Sequence, residues 1–428
     1  MSDPSLAKPR WSLRKKLLLQ LALLPLELAA VELGFRGYLR WKGEFYSAWR
    51  TELEVRRILQ ALTSRLQTQE ALGDKGLSVR KPVELVHPYA GFDIDQTAEI
   101  VTEETTSVKR GDSSYDILLF GGSVAGHFEA FGGTTFAQVL EADPRFQGKR
   151  VKLWLHARGG FKQPQHLTMM AYLLSAGIEP EAAVLLDGFN EVALSLQNTD
   201  FGGNPLFPTM AQWAPLLSST YSDAGGVETL EGIRERQRNA KSTSELVLGW
   251  GLHNSAVIGT LARGRIVRMY NENYDATQKY LVSLMGSGSH PVFSGPKRPG
   301  TREGVVQQAA RAWFESSLSM HAICAARGIT FFHTLQPTLH DEGSKVVSEE
   351  ETRTGSAPDS FRDGVRLGYP RLRALGEKLR VQGVSFYDGS RVFAGRTETF
   401  YYDNCHFNKE ATEILAEEMA KQFLAALK

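Results

Sequence analysis

The sequence is poor in cysteine and has no excess of charge of either sign. Its 428 residues include only two cysteines, Cys324 and Cys405, which are too few for a disulfide framework or a cysteine-rich metal cluster. The 49 lysine and arginine residues nearly balance the 48 aspartate and glutamate residues. No overall basic field therefore indicates a nucleic-acid partner, and we expect none. The 42% of hydrophobic residues excludes a largely disordered chain.

The N-terminus combines a basic stretch with a long apolar run. Residues 8–16 (KPRWSLRKK) hold five basic residues and no acid, and residues 17–35 (LLLQLALLPLELAAVELGF) have about the length of a membrane span. This pattern predicts an uncleaved single-pass anchor in the cytoplasmic membrane, with residues 1–16 in the cytoplasm and the rest of the chain outside. Glu27 and Glu32 weaken the prediction, because an ionised acid costs about 2.5–3.5 kcal/mol at mid-membrane. An amphipathic helix packed on the protein or on the membrane surface is the alternative.

Five short apolar runs have the length and composition of buried strands. They lie at residues 115–120, 151–156, 182–188, 329–335 and 384–389. Stretches with helical periodicity separate them. Strands and helices that alternate in this way form right-handed βαβ units, with a parallel sheet that helices cover on both faces. The sequence therefore predicts an α/β fold of three layers, α/β/α.

The remaining segments predict a lead-in, an insertion and a loop. Residues 36–110 are predicted as a stalk and lead-in with a charged helix at 44–72, and residues 111–428 as one α/β domain. Residues 200–300 interrupt the alternating pattern with two helix-like stretches and a Gly/Ser/Pro-rich run. We interpret them as an insertion over the strand ends and not as a further domain. Residues 344–361 are polar and are predicted as a loop.

Four polar motifs follow predicted strands. They are GGS (121–123), ARGGFK (157–162), DGFNE (187–191) and, beyond the last strand, DNCHFN (403–408). In an open parallel sheet, ligands bind at the carboxyl ends of the strands. The four motifs together therefore predict one site at that edge of the sheet.

Ser123 in the first motif has three interpretations. A dinucleotide-binding G-x-G-x-x-G loop requires a glycine where Ser123 stands, and no Lys-Ser/Thr pair of a P-loop follows. An ordinary turn would use the serine as a helix N-cap. A nucleophile on a tight strand-to-helix turn needs an imidazole base and an acid to orient it, and His406 and Asp403 supply both. The last interpretation is favoured, with Ser123 N–H, Gly160 N–H (or its neighbour Gly159) and the Asn190 amide as candidate oxyanion donors.

These residues resemble a known family. Ser123, Gly160, Asn190 and His406, in this order, are similar to the four blocks of the SGNH (GDSL-like) hydrolases, and Asp403 stands where the last block has its acid. The resemblance implies a flavodoxin-like fold with a five-stranded parallel sheet. It also implies an esterase, lipase or acyltransferase that uses a Ser123–His406–Asp403 triad.

The sequence departs from the family pattern at two positions. The usual Gly-Asp-Ser is Gly121-Gly122-Ser123, and the usual Gly-x-Asn-Asp ends in Glu191. An α/β-hydrolase is the closest rival fold, because it has the same order of triad residues. Its G-x-S-x-G elbow, however, has a glycine where this chain has Ala125, and several strands would precede it.

The resemblance and the predicted anchor together imply an enzyme outside the cytoplasm that acts on an acylated small molecule or polysaccharide. O-acetyl groups of an envelope polysaccharide are the candidate substrate, and no cofactor or metal is expected, since His127, His156 and His166 lack metal-ligand spacing. Arg158 and Lys162 are interpreted as solvated loop charges, with an anion-binding role as the alternative. A non-catalytic carbohydrate-binding or assembly protein on the same fold is the alternative function.

Overall fold

The computed structural model of the chain describes residues 13–71, 83–85, 87–95, 108–111, 113–213, 224–286, 296–355 and 357–427. The chain divides into two compact units. The helical unit comprises residues 1–66 and 227–276, and the sheet unit comprises residues 67–226 and 277–428. The predicted cytoplasmic tail, residues 1–16, falls mostly outside the described residues, as do the side chains of residues 13–22.

The helices and strands are numbered here in chain order. The helices are α1 (Leu13–Trp41), α2 (Ala48–Ala71), α3 (Ser123–Glu141), α4 (Gln165–Ser175), α5 (Phe189–Asp200), α6 (Ala224–Gly249), α7 (Ala256–Gly286), α8 (Arg302–Ala326), α9 (Glu349–Thr354), α10 (Asp359–Val381) and α11 (Lys409–Ala426). The strands are β1 (Val83–Leu85), β2 (Asp93–Asp95), β3 (Ser114–Gly121), β4 (Arg150–Ala157), β5 (Ala182–Asp187), β6 (Thr330–Leu335) and β7 (Ser385–Asp388). Strands β1 and β2 form a short antiparallel pair within the predicted lead-in.

The sheet unit is built on a five-stranded parallel sheet. Its spatial order is β4-β3-β5-β6-β7, and all neighbouring strands run parallel. In order of appearance this is 2-1-3-4-5, the order of flavodoxin-like folds. The predicted α/β class and the five predicted strands are confirmed. The strand that leads to Ser123 is the first of the sheet, whereas an α/β-hydrolase elbow would follow several earlier strands.

Helices cover both faces of this sheet. Helices α3 and α11 pack against each other on one face, and α8 and α10 pack with α4 and α5 on the other. This division follows from the strand order. The chain first crosses from β3 to β4 at one edge and then reverses direction to reach β5, β6 and β7, so right-handed crossovers place the helices of these later connections on the opposite face. Because both faces are covered, all six residues of the central strand β5 are buried and show no alternation of apolar and polar side chains.

The helical unit has its own small core. Apolar side chains of α2, α6 and α7 meet there, with buried residues Val55, Ile58, Leu62, Ala240, Val247 and Ile266. The predicted boundaries placed residues 200–300 within one domain, as an insertion. The structure groups residues 227–276, from within the predicted insertion, with the N-terminal helices. The reason is that α2 and the two later helices are amphipathic, and each buries its apolar stripe against the others.

Helix α1 contains the predicted membrane span, residues 17–35. Near its C-terminal end, Glu32 accepts hydrogen bonds from the backbone N–H groups of Ala256 and Val257 at the start of α7, and it pairs with Arg36. This end of α1 therefore packs on the helical unit. Within the part of the chain that the structure describes, no helix is sufficiently long and apolar to cross a membrane.

Candidate active site

Ser123 lies at the junction of β3 and α3, where it is the first helical residue. Gly122 precedes the helix in an extended conformation, with φ −89° and ψ −154°. A Cβ atom at Gly122 would lie 2.3 Å from Asn190 Nδ2, so only glycine lets the Asn190 amide approach the turn this closely. The Ser123 hydroxyl does not cap the helix. It lies 2.6 Å from Nε2 of His406.

His406 and Asp403 lie on one short loop before α11. His406 Nδ1 is 2.8 Å from Asp403 Oδ2 and 3.0 Å from Oδ1. Asp403 Oδ1 also accepts the backbone N–H groups of Cys405 and His406, at 3.0 and 2.8 Å. Because a carboxylate only accepts hydrogen bonds, His406 carries its proton on Nδ1 and leaves Nε2 to accept from Ser123. The three side chains therefore form a hydrogen-bonded chain from carboxylate to hydroxyl.

A buried ion pair stabilises the segment that leads into this loop. Glu351 of α9 accepts the N–H groups of Phe400 and Tyr401, at 2.8 and 3.0 Å, through Oε1. Its Oε2 accepts from Lys345 Nζ at 3.0 Å and from Ser348 N at 2.8 Å. Both charged side chains are fully buried. The prediction of a polar loop at 344–361 missed this arrangement, although the Ser-x-x-Glu sequence at 348–351 is a capping-box signal for a helix start.

Gly160 and Asn190, the predicted oxyanion residues, lie on neighbouring segments. Gly160 has φ +82°, in the left-handed region that favours glycine, and its segment joins β4 to α4. Asn190 is buried at the start of α5, and its Nδ2 donates to Phe161 O at 2.8 Å. Asn190 Nδ2 also lies close to the Ser123 turn, since a Cβ atom at Gly122 would contact it.

Residues after α5 complete the surroundings of Gly160, and sequence analysis missed them. Thr209 Oγ1 donates to Gly160 O at 2.5 Å. The Gln212 carboxamide lies against Gly160, where a Cβ atom would be 2.0 Å from its Oε1. The only signal in the sequence was the position of these residues in the segment predicted to lie over the strand ends.

Lys162 is not a solvated loop charge, which corrects the prediction. Its side chain is buried, and Nζ donates to Pro205 O at 2.6 Å. Burial lowers the pKa of Lys162 to about 7, although nearby Glu191 opposes this effect. Arg158 is half-buried and donates to the backbone carbonyl of Ala157 at 2.9 Å. Lys162 thus supports the fold of the Gly160 segment.

Two side chains beside His406 were not assigned a role from the sequence. His127, one turn after Ser123 on α3, has its ring centroid 4.9 Å from that of His406. Its Nδ1 is 2.9 Å from the Tyr402 hydroxyl, and the Tyr402 ring is parallel to His406 within 11°. Sequence spacing alone could have placed His127 near Ser123, because residues four apart share one face of a helix.

Two groups of described residues bring three potential metal ligands within 4.8 Å of one another. One is the Asp403–His406 loop itself. The other is His166, Asp187 and Glu191, all buried beneath the site. Burial raises the pKa of Asp187 to about 7, and burial together with Asp187 raises the pKa of Glu191 to about 8. The carboxyl pair therefore holds a proton near neutral pH, and the expectation of no metal stays a prediction.

The similarities of this chain to known proteins lie among solved structures. No model of a protein family matches the sequence, and no curated protein matches it. Among solved structures, a Bacteroides fragilis protein assigned as an acylhydrolase is similar over 76% of this chain and 93% of its own, with 9% identity and a TM-score of 0.36. A GDSL-like lipase from Bacteroides thetaiotaomicron is similar over 73% and 89%, with 8% identity and a TM-score of 0.34. Similarity this weak carries no functional conclusion.

Proposed function

We propose that this chain is a serine esterase or acyltransferase of SGNH type. The observation that carries the proposal is the 2.6 Å contact between Ser123 Oγ and His406 Nε2, with Asp403 on the opposite ring nitrogen. A serine, an imidazole and a carboxylate in this order form the arrangement that activates a hydroxyl for attack on an acyl carbon.

In the proposed reaction, Ser123 Oγ attacks the carbonyl carbon of an ester while its proton passes to His406 Nε2. The tetrahedral intermediate collapses, the carbon–oxygen bond to the alcohol breaks, and His406 gives the proton to the leaving alcohol. Water, or a hydroxyl of an acceptor, then attacks the acyl carbon, and His406 again takes the proton. The second tetrahedral intermediate collapses, the bond from the acyl carbon to Ser123 Oγ breaks, and His406 returns the proton to Ser123. Asp403 holds the imidazole and stabilises its charged form.

The oxyanion of the intermediate would be stabilised by three donors: Ser123 N–H, Gly160 N–H and the second N–H of Asn190. Ser123 N–H lies at the N-terminus of α3, where the helix dipole also favours negative charge. The close approach of Asn190 to Gly122 supports its place in this set. Removing one such donor typically lowers kcat by about 10²–10³-fold.

The central test is active-site labelling of the purified chain with a fluorophosphonate, combined with hydrolysis of a short-chain aryl ester. Wild type should label and hydrolyse, whereas Ser123→Ala should do neither and His406→Ala should lose nearly all hydrolysis, because triad members act as a unit. Ser175→Ala, an exposed serine on α4, is the matched control and should label like wild type. Labelling that persists in Ser123→Ala would exclude this nucleophile. An unreactive wild type would favour the non-catalytic binding or assembly protein.

We further propose that α1 attaches the protein to the outer side of the cytoplasmic membrane and that the substrate is an O-acylated envelope polysaccharide. The basic residues before the apolar run support an orientation in which they stay in the cytoplasm and the rest of the chain lies outside. Apolar side chains on α1 are exposed and available to lipid: Leu23, Leu24, Leu26, Leu28, Val31 and Leu33. A reporter that is active only outside the cytoplasm, fused after Lys428, should work and should fail when residues 1–40 are deleted. Recovery of the full-length chain in the soluble cytosolic fraction would contradict the anchor.

A further inference from the structure

Glu191 connects the two segments that carry Gly160 and Asn190. Its Oε1 accepts the backbone N–H of Gln163 at 3.0 Å, three residues after Gly160. Its Oε2 accepts the backbone N–H of Gly188 at 2.8 Å, two residues before Asn190. One carboxyl group is therefore shared between the β4–α4 segment and the start of α5.

A second bond joins the same two segments from the side of the active site. Asn190 Nδ2 donates to Phe161 O at 2.8 Å. The Gly160 segment is thus attached to α5 at residue 161 through Asn190 and at residue 163 through Glu191. Two attachments two residues apart fix the position and the tilt of the segment, and with them the direction of the Gly160 N–H.

Glu191 is 2% exposed, so no solvent replaces its hydrogen bonds if they are lost. The titratable groups that face it come from three elements and one loop: Asp187 of β5, His166 of α4, His333 of β6 and Lys162. Asp187 is held in turn by Trp313 Nε1 at 2.7 Å and by His333 Nε2 at 2.8 Å. Asp187, which faces the Glu191 carboxyl group, is therefore itself held in place by two hydrogen bonds.

We propose that Glu191 is a positioning residue for the oxyanion site, which holds the Gly160 N–H and the Asn190 amide in register with each other. The inference rests on the proposed function, since it concerns how that site stabilises its transition state. Glu191 does not touch the reacting atoms. It acts on the transition state because preorganised donors must keep their geometry to within about 0.5 Å to be effective.

The test compares Glu191→Gln with wild type in ester hydrolysis. Glutamine has the same size, but its carboxamide NH₂ would face one of the two backbone N–H donors, so one attachment is lost. We expect kcat to fall about 100-fold with KM changed less than about threefold, because the loss is in transition-state stabilisation. The affinity for an arylboronic acid, which forms a tetrahedral adduct with the serine, should fall with kcat/KM.

Two further variants separate positioning from general damage. Asn190→Ala should also lower kcat, and the Glu191→Gln/Asn190→Ala double variant should lose much less than the product of the two single losses, because both act on the same donors. Glu191→Asp, one methylene shorter, should fall between wild type and Glu191→Gln and carries the test if the glutamine variant does not fold. Asp116→Asn is the control: it removes a buried carboxylate of β3 away from the site and should leave kcat unchanged in the folded protein.

Several results would overturn the inference. They are a Glu191→Gln enzyme with at least half of the wild-type kcat, a loss confined to KM, unchanged boronic acid affinity, or fully multiplicative losses in the double variant. These results require an active wild type. A wild type that neither hydrolyses esters nor reacts with fluorophosphonate would instead overturn the proposed function, and this inference with it.

Discussion

Replacement of Glu351 by glutamine should destabilise the sheet unit strongly, although this residue is outside the triad. Glutamine keeps the size of the side chain but leaves the Lys345 ammonium buried without a counter-charge. Breaking a buried, hydrogen-bonded ion pair by removing one partner costs about 3–5 kcal/mol. At about 2.1 cal/mol/K of unfolding entropy per residue, each kcal/mol lowers the Tm of a unit of this size by about 1.5 °C. We therefore expect Tm to fall by about 5–8 °C.

The pH dependence of this effect follows from the Glu351 pKa. Burial alone would raise that pKa, but the hydrogen bonds from Ser348, Tyr401, Lys345 and Phe400 outweigh it, and the pKa lies below its ordinary value of 4.5. The stabilisation is thus present above pH 4.5 and is lost as the pH falls through the lowered pKa. The Tm difference between wild type and Glu351→Gln should shrink in acid.

Thermal unfolding monitored by circular dichroism at pH 7.5 is the assay, with ester hydrolysis measured well below Tm. Glu349→Gln, an exposed acid on the same short helix, is the matched control and should change Tm by less than about 2 °C. The Lys345→Met/Glu351→Gln double variant should be more stable than the sum of the single effects predicts, because it removes the unpaired charge. A Glu351→Gln variant with the Tm of wild type would refute the reasoning.

Three further predictions concern the site and the sheet beside it. Gly122→Ala should lower kcat about 100-fold, because its Cβ would displace the Asn190 amide. The control is Gly126→Ala on α3, which has open space around it and should keep activity and be equally or more stable. Equal kinetics for the two variants would contradict the close approach of Asn190 to Gly122. Burial lowers the pKa of His156, which stacks on Phe120, to about 3, so wild type should lose stability as pH falls below about 6.5. On going from pH 7.5 to 5.0, the difference in the free energy of unfolding between His156→Leu and wild type, measured with urea, should shift by about 2 kcal/mol in favour of the variant. An unchanged difference would contradict this prediction. Asp403→Asn should lose about 10⁴-fold in kcat while Ser123 stays in place, because the amide favours the wrong imidazole tautomer, and kcat within tenfold of wild type would contradict the role of the acid.

The fold was predictable from the sequence because its signals are local. Each strand is a continuous apolar run, and each of the four motifs directly follows a strand or lies on one short loop. Strand order then brings Ser123, Gly160 and Asn190 to one edge without further information. His406 and Asp403 were predictable as a pair because they are three residues apart.

The missed features depend on contacts between distant segments. Nothing in residues 227–276 indicates that they pack with N-terminal helices, because any amphipathic helix offers the same kind of apolar stripe. Lys162 was misread because its burial depends on the carbonyl of Pro205, 43 residues later. Glu351 looked like one acid among three in a polar stretch. Its role depends on Phe400 and Tyr401, and sequence patterns do not specify such partners.

The two contacts of the triad differ in sequence separation, and this has a consequence for folding. Asp403 and His406 are three residues apart and also share backbone hydrogen bonds, so their contact closes a very short loop. Ser123 and His406 are 283 residues apart, and their contact requires the whole sheet to be in place. The Asp403–His406 contact therefore closes a short loop at little entropic cost, whereas the Ser123–His406 contact depends on long-range assembly of the sheet. Recovery of the proposed ester hydrolysis during refolding should thus report formation of the Ser123–His406 contact.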